Sequence, residues 1–255
     1  MTKQWIGQCM DIGGIQLYFE ELGESKESPV IVFDSGNGWR TKSWNPIKAE
    51  VSAFSRMLVY NRAGLGKSTI DDRPRHSLQN VENLRLLLQK TNVKPPYILV
   101  GHSFGGLNVR LYASLYPEEV AGVLLLDACH EDQNKLMAPA LSPPNQKQYY
   151  RQFAVEGTLA DFEESLEQVR KHKTLGDMPL TIVTGGNQPV HTPESWAHWM
   201  DFQKDLVALS SNSRHVVLED AGHAVHIDNP QAVVEEIHKM LETLKRPAEP
   251  LLKEK

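Results

Sequence analysis

The sequence predicts an α/β fold, a largely parallel sheet covered on both faces by helices. Two observations carry that prediction. Short continuous apolar runs recur at residues 30–33, 57–60, 98–100 and 120–126, and Leu180-Thr181-Ile182-Val183-Thr184 resumes the pattern. Unbroken runs of this kind mark strands buried on both faces. Between them lie segments with apolar residues at helical spacing, most clearly Leu78, Val81, Leu84, Leu87 and Leu88. A third observation concerns chemistry: one strand-to-helix junction, Gly101-His102-Ser103-Phe104-Gly105-Gly106, carries a serine between glycines.

Taken in order, residues 5–22 alternate around Gly13-Gly14 and predict a first hairpin. A polar loop is expected at 24–28, then the strand 30–33, which ends in Asp34-Ser35-Gly36-Asn37-Gly38. Trp44 and Asn45-Pro46 open a short helix toward Phe54, ahead of the strand 57–60. The helix of Leu78 to Leu88 stops at Lys94-Pro95-Pro96, because the residue before a proline is pushed out of the helical region. The strand 98–100 and the helix after Ser103 follow, then a strand closing on Asp127. Residues 131–176 break the rhythm with Pro139, Pro143 and Pro144 and a polar helical stretch from Phe162 to His172. This reads as an excursion from one domain. Strand 180–184, an amphipathic helix from Trp196 to Leu209, strand 215–218 and a helix from Asn229-Pro230 to about Leu244 complete the core.

Composition narrows the possible partners. The 255 residues are 40% apolar and 23% charged, the balance of an ordinary globule. A net charge of −5 gives no electrostatic basis for binding nucleic acid or an anionic membrane. The N-terminus lacks the apolar core of a signal peptide, and no run approaches the ~18 apolar residues that span a bilayer. Cys9 and Cys129 are read as separate buried thiols, which suits a reducing cytosol. A cytoplasmic protein is expected.

The strand–turn–helix around Ser103 fits the nucleophile-elbow pattern G-x-S-x-G. Side chains at Gly101 and Gly105 would collide with strand and helix in so tight a turn. The helix start behind the serine aims N–H groups where negative charge would develop. A serine hydroxyl needs a base, and the base needs a carboxylate to fix its tautomer. Ligands of open α/β sheets bind at the carboxyl ends of the strands, which favours His223, just after the last strand. His102 is expected to pack as a structural residue, and His130, His191, His198 and His226 are lesser candidates. His223 with His226 lacks the further ligands of a metal site, so no metal or cofactor is expected.

The strand 180–184 runs into Gly185 to Pro189 without a carboxylate, whereas the strand before it ends in Asp127. Asp127 is therefore the candidate acid, ahead of Glu131, Asp132 and, more remotely, Asn187. The N–H groups of Phe104 and Asn37 are the candidate oxyanion donors, although the glycines beside Asn37 also suit a plain turn. Ala63-Gly64-Leu65-Gly66-Lys67-Ser68 imitates the end of a phosphate-binding loop. That pattern requires glycine at 61, where this chain has Asn61.

From about residue 12 to 244 the chain resembles the α/β-hydrolase fold superfamily. Gly-His-Ser-Phe-Gly-Gly carries the resemblance, with Tyr60-Asn61-Arg62-Ala63-Gly64-Leu65-Gly66-Lys67-Ser68, which is close to the family's Y-D-R-x-G-x-G-x-S turn. Tyr116-Pro117-Glu118-Glu119-Val120, residues 123–127, and Gly222-His223 before Asn229-Pro230 add to it. The resemblance implies an eight-stranded, mostly parallel sheet. It divides the chain into a core of 1–130 and 177–246, a helical cap of 131–176 and a frayed tail of 247–255. Two departures stand out. Ser35-Gly36 replaces the His-Gly that many members carry before the oxyanion residue, and the commonest acid position, after the seventh strand, is empty. A subset of the family uses the end of the sixth strand, in agreement with Asp127. Serine at the nucleophile position argues against the dehalogenase and epoxide-hydrolase branches.

The expected activity is that of a serine hydrolase, a carboxylesterase for small or medium esters. Lactonase, C–C hydrolase and aminopeptidase chemistry are alternatives on the same residues, and a non-enzymatic ligand sensor is the alternative of another class. A small ester-type substrate and a monomer or small homo-oligomer are expected. Tyr149, Tyr150, Phe153 and Phe162 are candidate pocket walls, at a spacing that equally serves packing.

Overall fold

A computed structural model describes residues 6–24 and 29–245. Most of the polar loop expected at 24–28 and the tail after residue 246 lie outside these residues. The sheet has eight strands: β1 (Gln8–Asp11), β2 (Gln16–Leu22), β3 (Val30–Asp34), β4 (Met57–Tyr60), β5 (Tyr97–His102), β6 (Val120–Leu126), β7 (Leu180–Gly185) and β8 (Ser213–Leu218). Their order is β1-β2-β4-β3-β5-β6-β7-β8. The first hairpin and the β2–β4 pair are antiparallel, and the pairs from β4 through β8 are parallel.

The central strands read as continuous apolar runs because both of their faces are covered. Ile31, Phe33, Ile98, Val100, Leu124 and Leu126 point to one side. There they meet Ile47 and Val51 of α1 (Asn45–Phe54) and Val233, Ile237 and Leu241 of α8 (Pro230–Lys245). Val32, Leu99, Val123 and Leu125 point to the other side. They pack on α2 (Ser77–Lys90), α3 (Phe104–Leu115) and α5 (Leu159–Arg170). Alternation along a strand assigns each residue to its face.

Between β6 and β7 the chain forms a π-helical turn (Gln133–Met137), a 3₁₀ turn (Ala138–Ala140), α4 (Pro143–Arg151), a second 3₁₀ turn (Gln152–Val155) and α5. The capping box of Thr158 and Asp161 starts α5. Phe153 and Phe162 are buried, with their rings stacked 4.0 Å apart, and Phe162 lies 5.8 Å from Phe104. They pack this segment onto α3. Helix α6 (Pro193–Asp205) begins three residues before the expected Trp196, because Thr192 and Ser195 form a capping box there. It tightens to a 3₁₀ turn over Leu206–Leu209. A short helix, α7 (Val225–Asp228), precedes α8.

One expectation is corrected. Cys129 is buried, but Cys9 is exposed. It sits on β1, an edge strand whose outer face has no layer over it, and alternation alone does not reveal which strand ends the sheet. Among the described residues, no helix is long and apolar enough to cross a membrane.

Candidate active site

Ser103 stands at the apex between β5 and α3 with φ +52° and ψ −117°, a conformation that a side-chain-bearing residue adopts only under constraint. The constraint comes from its bonds and its neighbours. Its N–H donates to the Leu126 carbonyl (3.1 Å), and its own carbonyl accepts from Gly106 (2.9 Å) and Cys129 (3.1 Å). A Cβ at Gly105 would run into the backbone of Asp34, and one at Gly101 into the backbone of Gly105. The turn closes only with glycine on either side. The phosphate-loop look-alike at 63–68 forms turns with no helix after it.

Asp127 follows β6, also at positive φ (+44°), and is fully buried. Four donors converge on its carboxylate. Oδ1 accepts from the Gly185 N–H (3.1 Å) and from Trp199 Nε1 (3.2 Å). Oδ2 accepts from Gln188 Nε2 (2.9 Å) and faces His223 Nδ1 at 2.5 Å. These donors satisfy both oxygens of a carboxylate that water does not reach. Since Oδ2 accepts, His223 Nδ1 carries the hydrogen, and Nε2 is left with a free lone pair.

His223 lies between β8 and α7, its side chain 42% exposed, and its ring is 5.9 Å from that of Trp199. Its backbone is held by His102, whose Nε2 lies 2.9 Å from the His223 carbonyl. Because a carbonyl only accepts, that nitrogen of His102 carries the hydrogen. Ser103 Oγ is directed at Cys129 Sγ, 3.7 Å away, and makes no hydrogen bond to His223. Burial pushes the Cys129 thiol up to about 12, so it stays protonated beside the serine.

The N–H groups of Phe104 and Asn37 donate no hydrogen bond among the described residues. Phe104 opens α3, where unpaired N–H groups and the helix dipole favour negative charge. The structure thus brings His223 and Asp127 into contact and leaves two free N–H donors on the segments flanking Ser103. Glu131 and Asp132 are engaged elsewhere, with Arg110 (2.8 Å) and Arg170 (2.8 Å) respectively. Burial alone would raise the Glu131 pKa, yet Arg110 holds it down at about 2. His130 stacks on Phe202, and His191 faces Ser195.

Three contributors escaped the sequence reading. Gln188 and Trp199 are ordinary loop and helix residues in sequence, and only the fold turns them toward Asp127. Glu156 is the third. Its carboxylate reaches Arg62, in the turn after β4, and the N–H of Gly38.

Behind His223 lies a closed aromatic cluster of His102, His226, Trp39 and Trp44. His226 is fully buried and neither ring nitrogen has a hydrogen-bond partner. Burial, with His223 adding to it, lowers its pKa to about 3. In the unfolded chain a histidine titrates near ~6.5. Between those values only the unfolded chain takes up the proton, so stability falls as pH falls through that window. His226→Phe is expected to narrow the drop in melting temperature between about pH 8 and pH 4.5 by several degrees. An unchanged drop would remove His226 as its source. Among the described residues, no group of three or more His, Cys, Asp or Glu is placed to hold a metal.

The chain is similar to several known proteins. The uncharacterised protein YqjL of Bacillus subtilis (strain 168) is 29% identical over 237 residues, covering 91% of each chain. The structure of a thermophilic esterase from Thermogutta terrifontis superposes with a TM-score of 0.68 at 18% identity, covering 95% of this chain and all of that one. The enol-lactonase from Burkholderia xenovorans LB400 does so with the same TM-score and identity, covering 92% of this chain and all of that one. At that identity the two structures speak for the fold alone. The model of the alpha/beta hydrolase family matches residues 31–236. By that match over most of its length, the chain belongs to the alpha/beta hydrolase family.

Proposed function

We propose that this protein is a cofactor-free serine hydrolase, a carboxylesterase that cleaves small or medium esters through an acyl-enzyme on Ser103. The observation that carries the reading is the 2.5 Å contact of His223 Nδ1 with the caged carboxylate of Asp127. It leaves Nε2 as a base beside the serine elbow. In this reading the Ser103 hydroxyl turns from Cys129 to Nε2 when substrate binds, since catalytic hydrogen bonds often tighten only then. Ser103 Oγ then attacks the ester carbonyl as its proton passes to Nε2. The N–H groups of Phe104 and Asn37 receive the oxyanion. His223 returns the proton to the leaving alcohol, and water, deprotonated by the same nitrogen, releases the acid.

In this reading residues 131–176 act as a cap over the core, and the substrate's acyl and alcohol groups are chosen there. The setting is cytoplasmic, and the partner is a small molecule rather than nucleic acid or membrane. The matching folds of an esterase and a lactonase support ester and lactone substrates as the first to test. Labelling with a fluorophosphonate, mapped by peptide mass, is expected to place one adduct per chain on Ser103. An intact, unlabelled protein, or an adduct on Cys129 instead, would overturn the reading. A panel of nitrophenyl esters, lactones and aminoacyl amides then separates carboxylesterase from lactonase and aminopeptidase.

A further inference from the structure

The loop that carries Asn37 is held from outside itself. One guanidinium, that of Arg62, grips its carbonyls: Nη1 donates to the Ser35 carbonyl at 2.5 Å and Nη2 to that of Gly36 at 2.8 Å. Arg62 also pairs with Asp34, at the end of β3. On its other side it meets Glu156, with Nε 2.5 Å from Oε1 and Nη2 2.7 Å from Oε2. Glu156 Oε2 also accepts the N–H of Gly38 (2.9 Å), and Asn37 Nδ2 donates to the Gln152 carbonyl (2.8 Å).

Peptide planarity turns these bonds into a statement about the Asn37 N–H. In a trans peptide the carbonyl and the N–H of one plane point in opposite directions. Fixing the Gly36 carbonyl on Arg62 therefore aims the Asn37 N–H away from it. The next plane, Asn37 to Gly38, is fixed through the Gly38 N–H on Glu156. Both planes flanking Asn37 thus connect to one carboxylate, the second directly and the first through Arg62, while the Gly36 carbonyl also accepts the Trp39 N–H at 3.0 Å. That carboxylate sits between α4 and α5, more than a hundred residues along the chain. It is 2% exposed, although Val155 beside it is 64% exposed. A buried carboxylate is retained at a cost unless it is paired, and this one is paired on both oxygens.

We propose that Glu156 is a positioning residue for the Asn37 N–H, so that seating of residues 152–156 against the loop completes the oxyanion site. The proposal rests on the serine-hydrolase reading above. A misaimed oxyanion donor is felt in the transition state, so kcat falls while KM hardly moves. Glu156→Ala is expected to lower kcat per titrated active site by about 10²-fold, toward the ~10²–10³ seen when an oxyanion donor is removed. Affinity for a trifluoromethyl ketone analogue of the tetrahedral intermediate should fall in the same proportion.

Glu156→Gln keeps the shape and one acceptor for the Gly38 N–H, so its losses should be smaller and in the same order. It carries the test if the alanine variant does not fold. Asn37→Ala, which removes only the tie to Gln152, is expected to lose less still. If folded Glu156→Gln and Glu156→Ala lose melting temperature but keep kcat and analogue affinity, Glu156 is structural and the proposal fails. Failure of the underlying reading looks different: the wild-type protein itself would neither bind the analogue nor take the fluorophosphonate label.

Discussion

Ser103→Ala is expected to reduce ester turnover by on the order of 10⁶ in kcat, the loss found when the nucleophile of a serine hydrolase is removed. The substitution deletes one oxygen from a half-buried position whose backbone bonds, to Leu126, Gly106 and Cys129, all remain. Folding should survive, with the melting temperature close to that of the wild type. Cys129 cannot take over the attack, because its thiol stays protonated near neutral pH. Steady-state kinetics on a nitrophenyl ester measures the loss. A variant with more than about a tenth of wild-type turnover would place the chemistry elsewhere.

Asp127→Asn is expected to lower kcat by about 10⁴, the effect of the same change in a serine protease triad. The argument lies in the donors around the carboxylate. An amide oxygen at the Oδ1 position satisfies Gly185 and Trp199. The amide nitrogen then faces two donors, His223 Nδ1 and Gln188 Nε2. His223 relieves the clash by moving its hydrogen to Nε2, which leaves no base toward Ser103. Because the variant also removes a buried charge, it should fold, and a circular-dichroism melt checks this. Near-normal kcat in folded protein would move the role to Glu131 or Asp132, against the ion pairs those residues make with Arg110 and Arg170.

Much of this architecture is legible in the chain. The continuous apolar runs find their strands because burial on both faces leaves no polar positions in them. The turn at Ser103 is legible because it needs glycine on both sides, a constraint local to a few residues. Asp127 and His223 are legible from residue type and position, the acid at the end of one strand and the histidine in the loop after another, and the parallel sheet brings such residues to one edge. What stayed hidden was long-range. Nothing local marks Glu156 as the partner of Arg62, or turns Gln188 and Trp199 toward Asp127. The short helix Val225–Asp228 and the π-helical turn Gln133–Met137 lack a periodic signature of their own. Cys9 misled because its exposure depends on the order of strands in the sheet.

In the proposed reaction Ser103 is acylated and then released by water. Rapid mixing of the protein with a nitrophenyl ester tests it most directly, because acylation frees nitrophenol before the slower deacylation limits turnover. Wild-type protein is expected to release a burst of about one equivalent of nitrophenol per chain, lost in Ser103→Ala. Steady turnover with no burst and no trapped acyl adduct, and a rate unchanged in Ser103→Ala, would contradict it.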